Sequence, residues 1–437
     1  MRIVLFTHYF PPLNSSGARR VIAFAKYLAL SGHQITVIST TKSASDGPLT
    51  EEVPQYVTLL ELNGLGGLSR TKVKPTIVQV GATSGSSRSV LGRFLLGFKK
   101  VISKYSGQLI DHRILFSLQF AFPWLAGEVK EAIKHADIVM TTSPPWPVHL
   151  AGRIVKARFK KPWVADYRDQ FSGSHIQSGT PWFQRREIEL DHWLLKQADY
   201  VLTISGPMKE YYDQFHEAVA CIENGYDEEI FLDLNIVNPQ ESDSNAVIIR
   251  YLGKITATRI PFAFFQALVS VNRKPGKRVI AEFYGESDLL LKIISQSIPE
   301  VTPFIKLCQQ LPYRESIQAM LTADALFFTE TSDFSSHSAR GVLTTKLFEY
   351  AAARKPIIAQ ISEATLAAQY IKQAGTGLVI SEDANEIELA LGNLREGKIV
   401  LKINDSFINS LSRKFKTVEL ETLFKYVLQQ KSDQAVT

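Results

Sequence analysis

The sequence predicts an α/β protein of two domains, each a parallel sheet flanked by helices, and three observations carry that expectation. Short apolar runs of strand character alternate with segments of helical periodicity along nearly the whole chain. A polar stretch following residue 228 and running to Asn245 interrupts the alternation near the middle. At 437 residues, 45% of them hydrophobic, the chain is too long for one ordinary core and apolar enough for two. The domains are expected at 1–228 and 246–411, with a last helix, 412–437, packing back across the first.

In chain order, an opening strand at 3–6 leads through T-H-Y-F-P-P-L-N-S-S-G-A-R-R into an amphipathic helix ending near Leu30, then a second strand at 35–39. This is a βαβ unit. Asn14, Ser15, Ser16 and Gly17 form a loop at a helix start, where N–H groups lacking intrahelical partners can meet a phosphate. The G-x-G-x-x-G spacing of dinucleotide folds is absent. The N-terminal apolar run is only four residues long, with no small-residue cleavage site, so it reads as a first strand and not as a signal peptide.

Residues 42–87, rich in Ser, Thr, Gly and Pro, predict a long loop around one strand at 57–62. Residues 88–105 predict a helix with Val90, Phe94, Phe98 and Val101 in one apolar arc of about 140°. Arg93, Lys100 and Lys104 lie opposite. Two readings fit it: a core-packed helix with a solvated basic face, or a helix lying on an anionic membrane surface. Strands at 138–141 and 163–165, helices after Pro147 and at 182–196, and a strand at 200–204 then imply a parallel sheet. Directly after the 163–165 strand stands D-Y-R-D, where parallel strands present ligand-binding groups. Asp166 and Asp169 around Arg168 are either an ion-pair cluster or cleft-facing carboxylates.

The second domain opens with a strand at 247–252 and G-K-I-T-A-T-R, whose Lys254 and Arg259 sit in a glycine-started loop before a helix. They are two exposed cations or an anion site. Strands at 280–284, 305–307 and 325–328 precede a polar loop, T-E-T-S-D-F-S-S-H-S, and then the stretch at 341–359, G-V-L-T-T-K-L-F-E-Y-A-A-A-R-K-P-I-I-A. Thr344 or Thr345 caps a helix there, and Lys355-Pro356 stops it before a buried strand. Its start carries partial positive charge suited to a phosphate, and Glu349 lies one turn further in.

Composition narrows the classes. Two cysteines without partner spacing, Cys221 and Cys308, suggest neither a disulfide framework nor a zinc site, and fit a reducing cytosol. No run reaches the ~20 apolar residues of a spanning helix. The net charge of +6 fits an anionic partner, and the absence of zinc-finger spacing, ribonucleoprotein motifs and long Lys/Arg runs argues against nucleic acid.

The stretch at 341–359 resembles the nucleotide-sugar site of GT-B retaining glycosyltransferases of family 4 (glycosyl transferases group 1), in a branch reading T-K-L-F-E-Y. The loop with Gly17, D-Y-R-D, N-G-Y-D at 224–227, and the Lys254 and Arg259 pair follow in the family's order. The resemblance covers nearly the whole chain, most strongly the second half. It implies two Rossmann-like domains with a cleft between them and transfer of a sugar from a nucleotide diphosphate sugar to a carbohydrate or lipid-linked acceptor, with retention, in bacterial surface polysaccharide or glycoconjugate synthesis. It further implies a donor diphosphate near Gly17, Lys254, Arg259 and the helix start at Thr344, Thr345 and Lys346, and a ribose held by Glu349. By the same resemblance, Asp166 and Asp169 are candidates for the acceptor side. No metal and no cofactor beyond the donor is expected, and the enzyme is expected in the cytoplasm, at the inner face of a membrane. The family often carries a second glutamate eight positions before Glu349; here that position is Gly341, and Glu330 or His337 stands ready to replace it. Two other readings stay open, a nucleotide-sugar 2-epimerase and a non-catalytic GT-B subunit.

Overall fold

The fold was described from a computed structural model covering residues 1–43, 46–63, 67–68, 105–109, 118–122, 126–174, 179–235, 245–256, 259–285, 288–330 and 337–436. The amphipathic segment at 88–104 lies outside these residues. The chain divides into two compact units, 1–223 with 417–437, and 224–416.

In the first unit the described strands are β1 (Arg2–Thr7), β2 (Gln34–Thr40), β3 (Val57–Asn63), β4 (Gly67–Leu68), β5 (Ile138–Ser143), β6 (Trp163–Tyr167), β7 (Tyr200–Thr203) and β8 (Val219–Cys221). They form one sheet in the order β4-β3-β2-β1-β5-β6-β7-β8, parallel except for the β3 and β4 pair. Alternate residues of β1 enter different cores: Ile3 and Leu5 on one face, Val4 and Phe6 on the other. A strand buried on both faces needs no polar alternation, which is why these runs read as continuously apolar.

The second unit holds β9 (Ala246–Leu252), β10 (Arg278–Tyr284), β11 (Ile305–Cys308), β12 (Ala325–Thr329), β13 (Ile357–Gln360) and β14 (Gly377–Ile380). Their order is β11-β10-β9-β12-β13-β14, all parallel. Leu326 and Phe328 serve one core, Ala325 and Phe327 the other. In both sheets the strand order reverses once, between β1 and β5 and between β9 and β12. In open parallel sheets the crevice beyond the strand ends at such a reversal is where ligands bind.

One stretch departs from the pattern expected of the sequence. The segment after Asp227 is not wholly a linker: it forms the helix Glu228–Asn235, whose Phe231 and Leu234 are buried in the second unit. The terminal helix runs Arg413–Val436. From Thr417 onward it belongs to the first unit, where Leu420, Phe424 and Val427 pack with Ile3, Leu5 and Phe24. Glu421 meets His33 at 3.1 Å and Lys431 meets Asp199 at 2.9 Å.

The terminal helix therefore completes a core laid down by the first residues of the chain. Phe424→Ala is expected to destabilise the first unit by about 3–5 kcal/mol, as large-to-small changes of a fully buried ring do. Phe415→Ala, at a position 46% exposed, should leave stability nearly unchanged. Denaturant unfolding followed by tryptophan fluorescence checks the pair, since all five tryptophans lie in residues 1–223.

Candidate functional site

At the reversal in the first unit, polar groups are matched to one another. The helix Ser16–Leu30 is capped by Ser15, whose hydroxyl accepts from the Gly17 N–H at 3.1 Å. The Gly17 carbonyl accepts from Arg168, and a Cβ at Gly17 would stand 3.1 Å from that guanidinium. Arg168 also donates to the carbonyls of Ser143 (3.0 Å) and Pro144 (3.1 Å), so it braces the ends of β5 and β6 against the first helix. Asp166 is fully buried and bound to Arg20 at 3.0 Å, while Arg20 donates onward to the carbonyls of Ile222 (2.8 Å) and Glu223 (2.7 Å). The ion-pair alternative for D-Y-R-D thus describes Asp166. Asp169 is exposed at the carboxyl end of β6.

Behind this segment, Asp191 accepts from Tyr167 (2.5 Å), the Ser172 hydroxyl (2.6 Å) and Tyr212 (3.3 Å). Glu187 accepts the N–H groups of Gln108 (2.7 Å) and Leu109 (3.1 Å), and burial pushes its carboxyl up to about 7. At the end of β2, Lys42 donates to Ser39 (2.8 Å), and burial lowers its ammonium to about 8 against the pull of Glu61 and Asp46. A group titrating near neutrality beside strand ends is a functional candidate that the sequence pattern did not mark.

The reversal in the second unit is arranged otherwise. Gly253 and Gly285 follow β9 and β10 with φ of +142° and +150°, in the region that favours glycine. A Cβ at Gly285 would stand 2.6 Å from the Gly253 carbonyl, so the two loops stack closely. Lys254 is exposed in the same loop, and Arg259 half-buried a few residues on. The helix Thr345–Ala353 starts beside them. Its cap residue Thr344 makes no side-chain capping bond. Lys346 Nζ donates to the Tyr251 hydroxyl at 2.9 Å and lies 4.1 Å from that ring's centroid, against Gly253. Tyr350, fully buried, accepts the Leu252 N–H at 2.9 Å.

Glu330 stands just past β12 at this point. Its Oε1 and the Thr344 Oγ1 are both shut off from solvent, side by side. Burial raises the Glu330 pKa, while the Thr344 hydroxyl, Lys346 and Arg259 pull it down. A carboxyl and a hydroxyl beside two cations at a helix start make this a candidate place for an anionic ligand.

Glu349, buried within the same helix, faces a second set of groups. Burial, then the Glu349 charge, push the Tyr313 phenol up against the pull of Arg413, which donates a hydrogen bond to the Tyr313 hydroxyl at 3.3 Å. Burial works against the charge on Arg413, but Tyr313, Glu349 and Asp227 outweigh it. The sequence-predicted residues Arg259, Thr344, Lys346 and Glu330 are thus brought together, with Lys254 in the adjoining loop and Thr345 at the first helical position. Tyr313 and Arg413 beside Glu349 carried no local sequence signal, whereas Asp227 ends the N-G-Y-D segment. The side chain of His337 is outside the described residues, and among those residues no cluster of His, Cys, Asp and Glu could hold a metal ion.

Residues 17–230 match the sequence model of Glycosyltransferase Family 4, a span that ends before β9. No curated protein matches the sequence. Solved structures share its architecture over nearly their full length. A glycosyltransferase from Rickettsia africae ESF-5 is 15% identical with a TM-score of 0.57, covering 98% of each chain. Sucrose-phosphate synthase from Thermosynechococcus elongatus is 15% identical with a TM-score of 0.59, over 98% of this chain and 99% of that one. Anabaena Alr3699/HepE in complex with UDP and glucose is 13% identical with a TM-score of 0.53, over 100% and 99%. These likenesses are of fold, and the fold is GT-B.

The two aspartates of D-Y-R-D should separate by experiment. Arg20→Met leaves Asp166 buried without its counter-charge and is expected to cost about 3–5 kcal/mol. Asp169→Asn, on an exposed carboxylate, should change stability by no more than about 0.5 kcal/mol. Denaturant titration of both variants is the check, and equal losses would contradict the division of roles.

Proposed function

This chain is a GT-B glycosyltransferase of family 4, and from that premise we propose that it moves a sugar from a nucleotide diphosphate sugar to a lipid-linked acceptor, with retention of configuration, at the cytosolic face of a membrane. One observation carries the donor half of this reading: the gathering of Arg259, Lys346 and the uncapped start of Thr345–Ala353 beside Glu330 and the Thr344 hydroxyl at the reversal between β9 and β12. Lys254 lies in the adjoining loop. The Anabaena structure named above holds UDP, which supports a nucleotide donor here.

In this reading the donor diphosphate lies against the glycine loop after β9. The backbone there approaches closely because Gly253 and Gly285 carry no side chains. Lys254, Arg259, Lys346 and the helix dipole then oppose the negative charge that grows on the leaving diphosphate as the glycosidic bond breaks. Glu349, kept in place beside Arg413 and Tyr313, accepts from ribose hydroxyls. Asp169 is the exposed carboxylate of D-Y-R-D left for the acceptor.

The acceptor half rests on the helix Pro181–Leu195. Trp182, Arg186, Glu189 and Trp193 recur at helical spacing along one face, and the two indoles are 59% and 49% exposed. Arg186 lies over Trp182 at 5.3 Å and Arg153 over Trp193 at 3.9 Å, with Arg185 and Lys196 exposed nearby. Paired indoles ringed by cations suit the headgroup level of an anionic membrane. Among the described residues no helix is long and apolar enough to cross a membrane.

Lys254→Ala, Arg259→Ala and Glu349→Ala should each weaken nucleotide diphosphate binding by roughly one to two decades, the equivalent of about 1.5–3 kcal/mol for a charged hydrogen-bond partner. Calorimetry measures this, and unchanged affinity in all three would remove the donor assignment. For the membrane, Trp182→Ser with Trp193→Ser should abolish cosedimentation with anionic vesicles, and wild-type binding should weaken as salt is raised. Indifference of the wild type to vesicle charge would leave a soluble acceptor.

A further inference from the structure

Lys346, in the first turn of the helix Thr345–Ala353, is held by neutral groups. Its Nζ donates to the Tyr251 hydroxyl at 2.9 Å and stands 4.1 Å from the centroid of the same ring and 5.7 Å from that of Phe328. Among the described residues that hydroxyl is its one hydrogen-bond acceptor, and no carboxylate lies within ion-pair distance. An aromatic ring attracts a cation through its quadrupole without neutralising it, and an ammonium has more N–H donors than one acceptor uses. Lys346 therefore has donors left over, and it has them at the glycine loop, where a Cβ built on Gly253 would stand 3.3 Å from Nζ. Tyr251 is itself fixed. Its ring is 1% exposed at the end of β9, packed against Phe283 at 5.6 Å and Phe327 at 6.2 Å. Its hydroxyl, while accepting from Lys346, donates to the Lys254 carbonyl at 3.2 Å, so one oxygen ties the first turn of the helix to the loop that carries Lys254. Anchoring the helix does not require a charge, because one turn further on Tyr350 bonds the Leu252 N–H at 2.9 Å, with Leu347 and Phe348 buried beside it.

We propose that Tyr251 is a positioning residue of the donor site: its hydroxyl holds the Lys346 ammonium and the Lys254 loop in the arrangement that receives a nucleoside diphosphate, and it acts on that ligand through Lys346. This rests on the donor reading above and goes further, because it gives a task to a buried side chain that the reading does not use. A long flexible side chain loses rotamer freedom when it meets an anion, and holding it in place beforehand removes that cost from binding. Neutral partners do this without competing with the phosphate for the charge.

The test is a double-mutant cycle read by calorimetry with UDP, GDP, ADP and dTDP. Lys346→Met should weaken binding of the diphosphate that the wild type accepts by roughly ten- to hundredfold, as loss of a charged partner does, and Tyr251→Phe by about three- to tenfold. In the Lys346→Met background Tyr251→Phe should cost less than about twofold more, because the group it positions is gone. A purely structural Tyr251 would lower affinity equally in both backgrounds. Melting curves establish that the variants fold. A proton–nitrogen NMR spectrum of the lysine ammonium groups gives a second readout: the Lys346 signal, identified by its loss in Lys346→Met, should be resolved in the wild type and lost to solvent exchange in Tyr251→Phe. Wild-type affinity or an unchanged ammonium signal in Tyr251→Phe, or an equal loss of affinity in both backgrounds, would overturn the proposal and leave the donor reading to the Lys254, Arg259 and Glu349 variants. Unchanged binding by Lys346→Met would overturn it too, whether or not Tyr251→Phe folds. Failure of every diphosphate to bind the wild type would overturn both.

Discussion

A single backbone N–H at the end of a strand governs where the donor-side groups stand. Leu252 is the last residue of β9, and its N–H, buried away from water, must find an acceptor. It finds the Tyr350 hydroxyl at 2.9 Å. That bond, with the Lys346 to Tyr251 contact one turn earlier, seats the helix Thr345–Ala353 against the end of β9. The helix is short, and its own hydrogen bonds would not hold it in water. Packed this way, it presents Thr344 and Lys346 to the glycine loop and sends Glu349 inward toward Tyr313 and Arg413. The T-K-L-F-E-Y pattern is therefore an anchoring device as much as a binding one, with Leu347, Phe348 and Tyr350 supplying the buried face.

The two strand reversals make opposite use of charge. In the first unit Arg20 and Arg168 are spent on Asp166 and on carbonyls at loop ends. Such a network costs desolvation and returns rigidity, which suits a platform that other groups stand on. In the second unit the cations stand near a single carboxylate, and a helix start lacks a side-chain cap. A helix start left uncapped beside cations gains when an anion arrives. Gly17 illustrates the contrast. Its N–H is occupied by its own cap and its lack of a side chain makes room for Arg168, so in the described structure its contribution is to the brace.

Glu349 shows how distant parts of the chain converge on one group. Tyr313 comes from the helix after β11, Asp227 from the turn at the start of the second unit, and Arg413 from the first residue of the terminal helix. The Arg413 backbone N–H donates to the Tyr226 carbonyl at 2.9 Å, fixing the residue next to Asp227. A carboxylate held among these groups keeps its direction, which is what a hydrogen-bond acceptor for a ligand requires.

Much of this was legible in the residues. Strands buried on both faces announce themselves as apolar runs, so β1, β2, β5, β9, β12 and β13 were located to within a few residues. The loop-helix-strand at 341–359 pointed to an anion site through local rules of capping and helix dipoles. The family itself was suggested chiefly by the second half, whereas the family match falls on 17–230, because a few motif residues and a whole-domain pattern are different kinds of signal. Short elements such as β8 and the helix Glu228–Asn235 were missed, since their burial comes from neighbours distant in sequence. What the sequence determined by itself was the class of fold and the residue types available at each strand end, because periodicity and capping are local properties. Only the tertiary structure decided that Asp166 is spent on Arg20, 146 positions away, while Glu330 is left beside Lys346 and Arg259. Whether a charge is paired depends on which residues fold against it, and spacing along the chain does not carry that information.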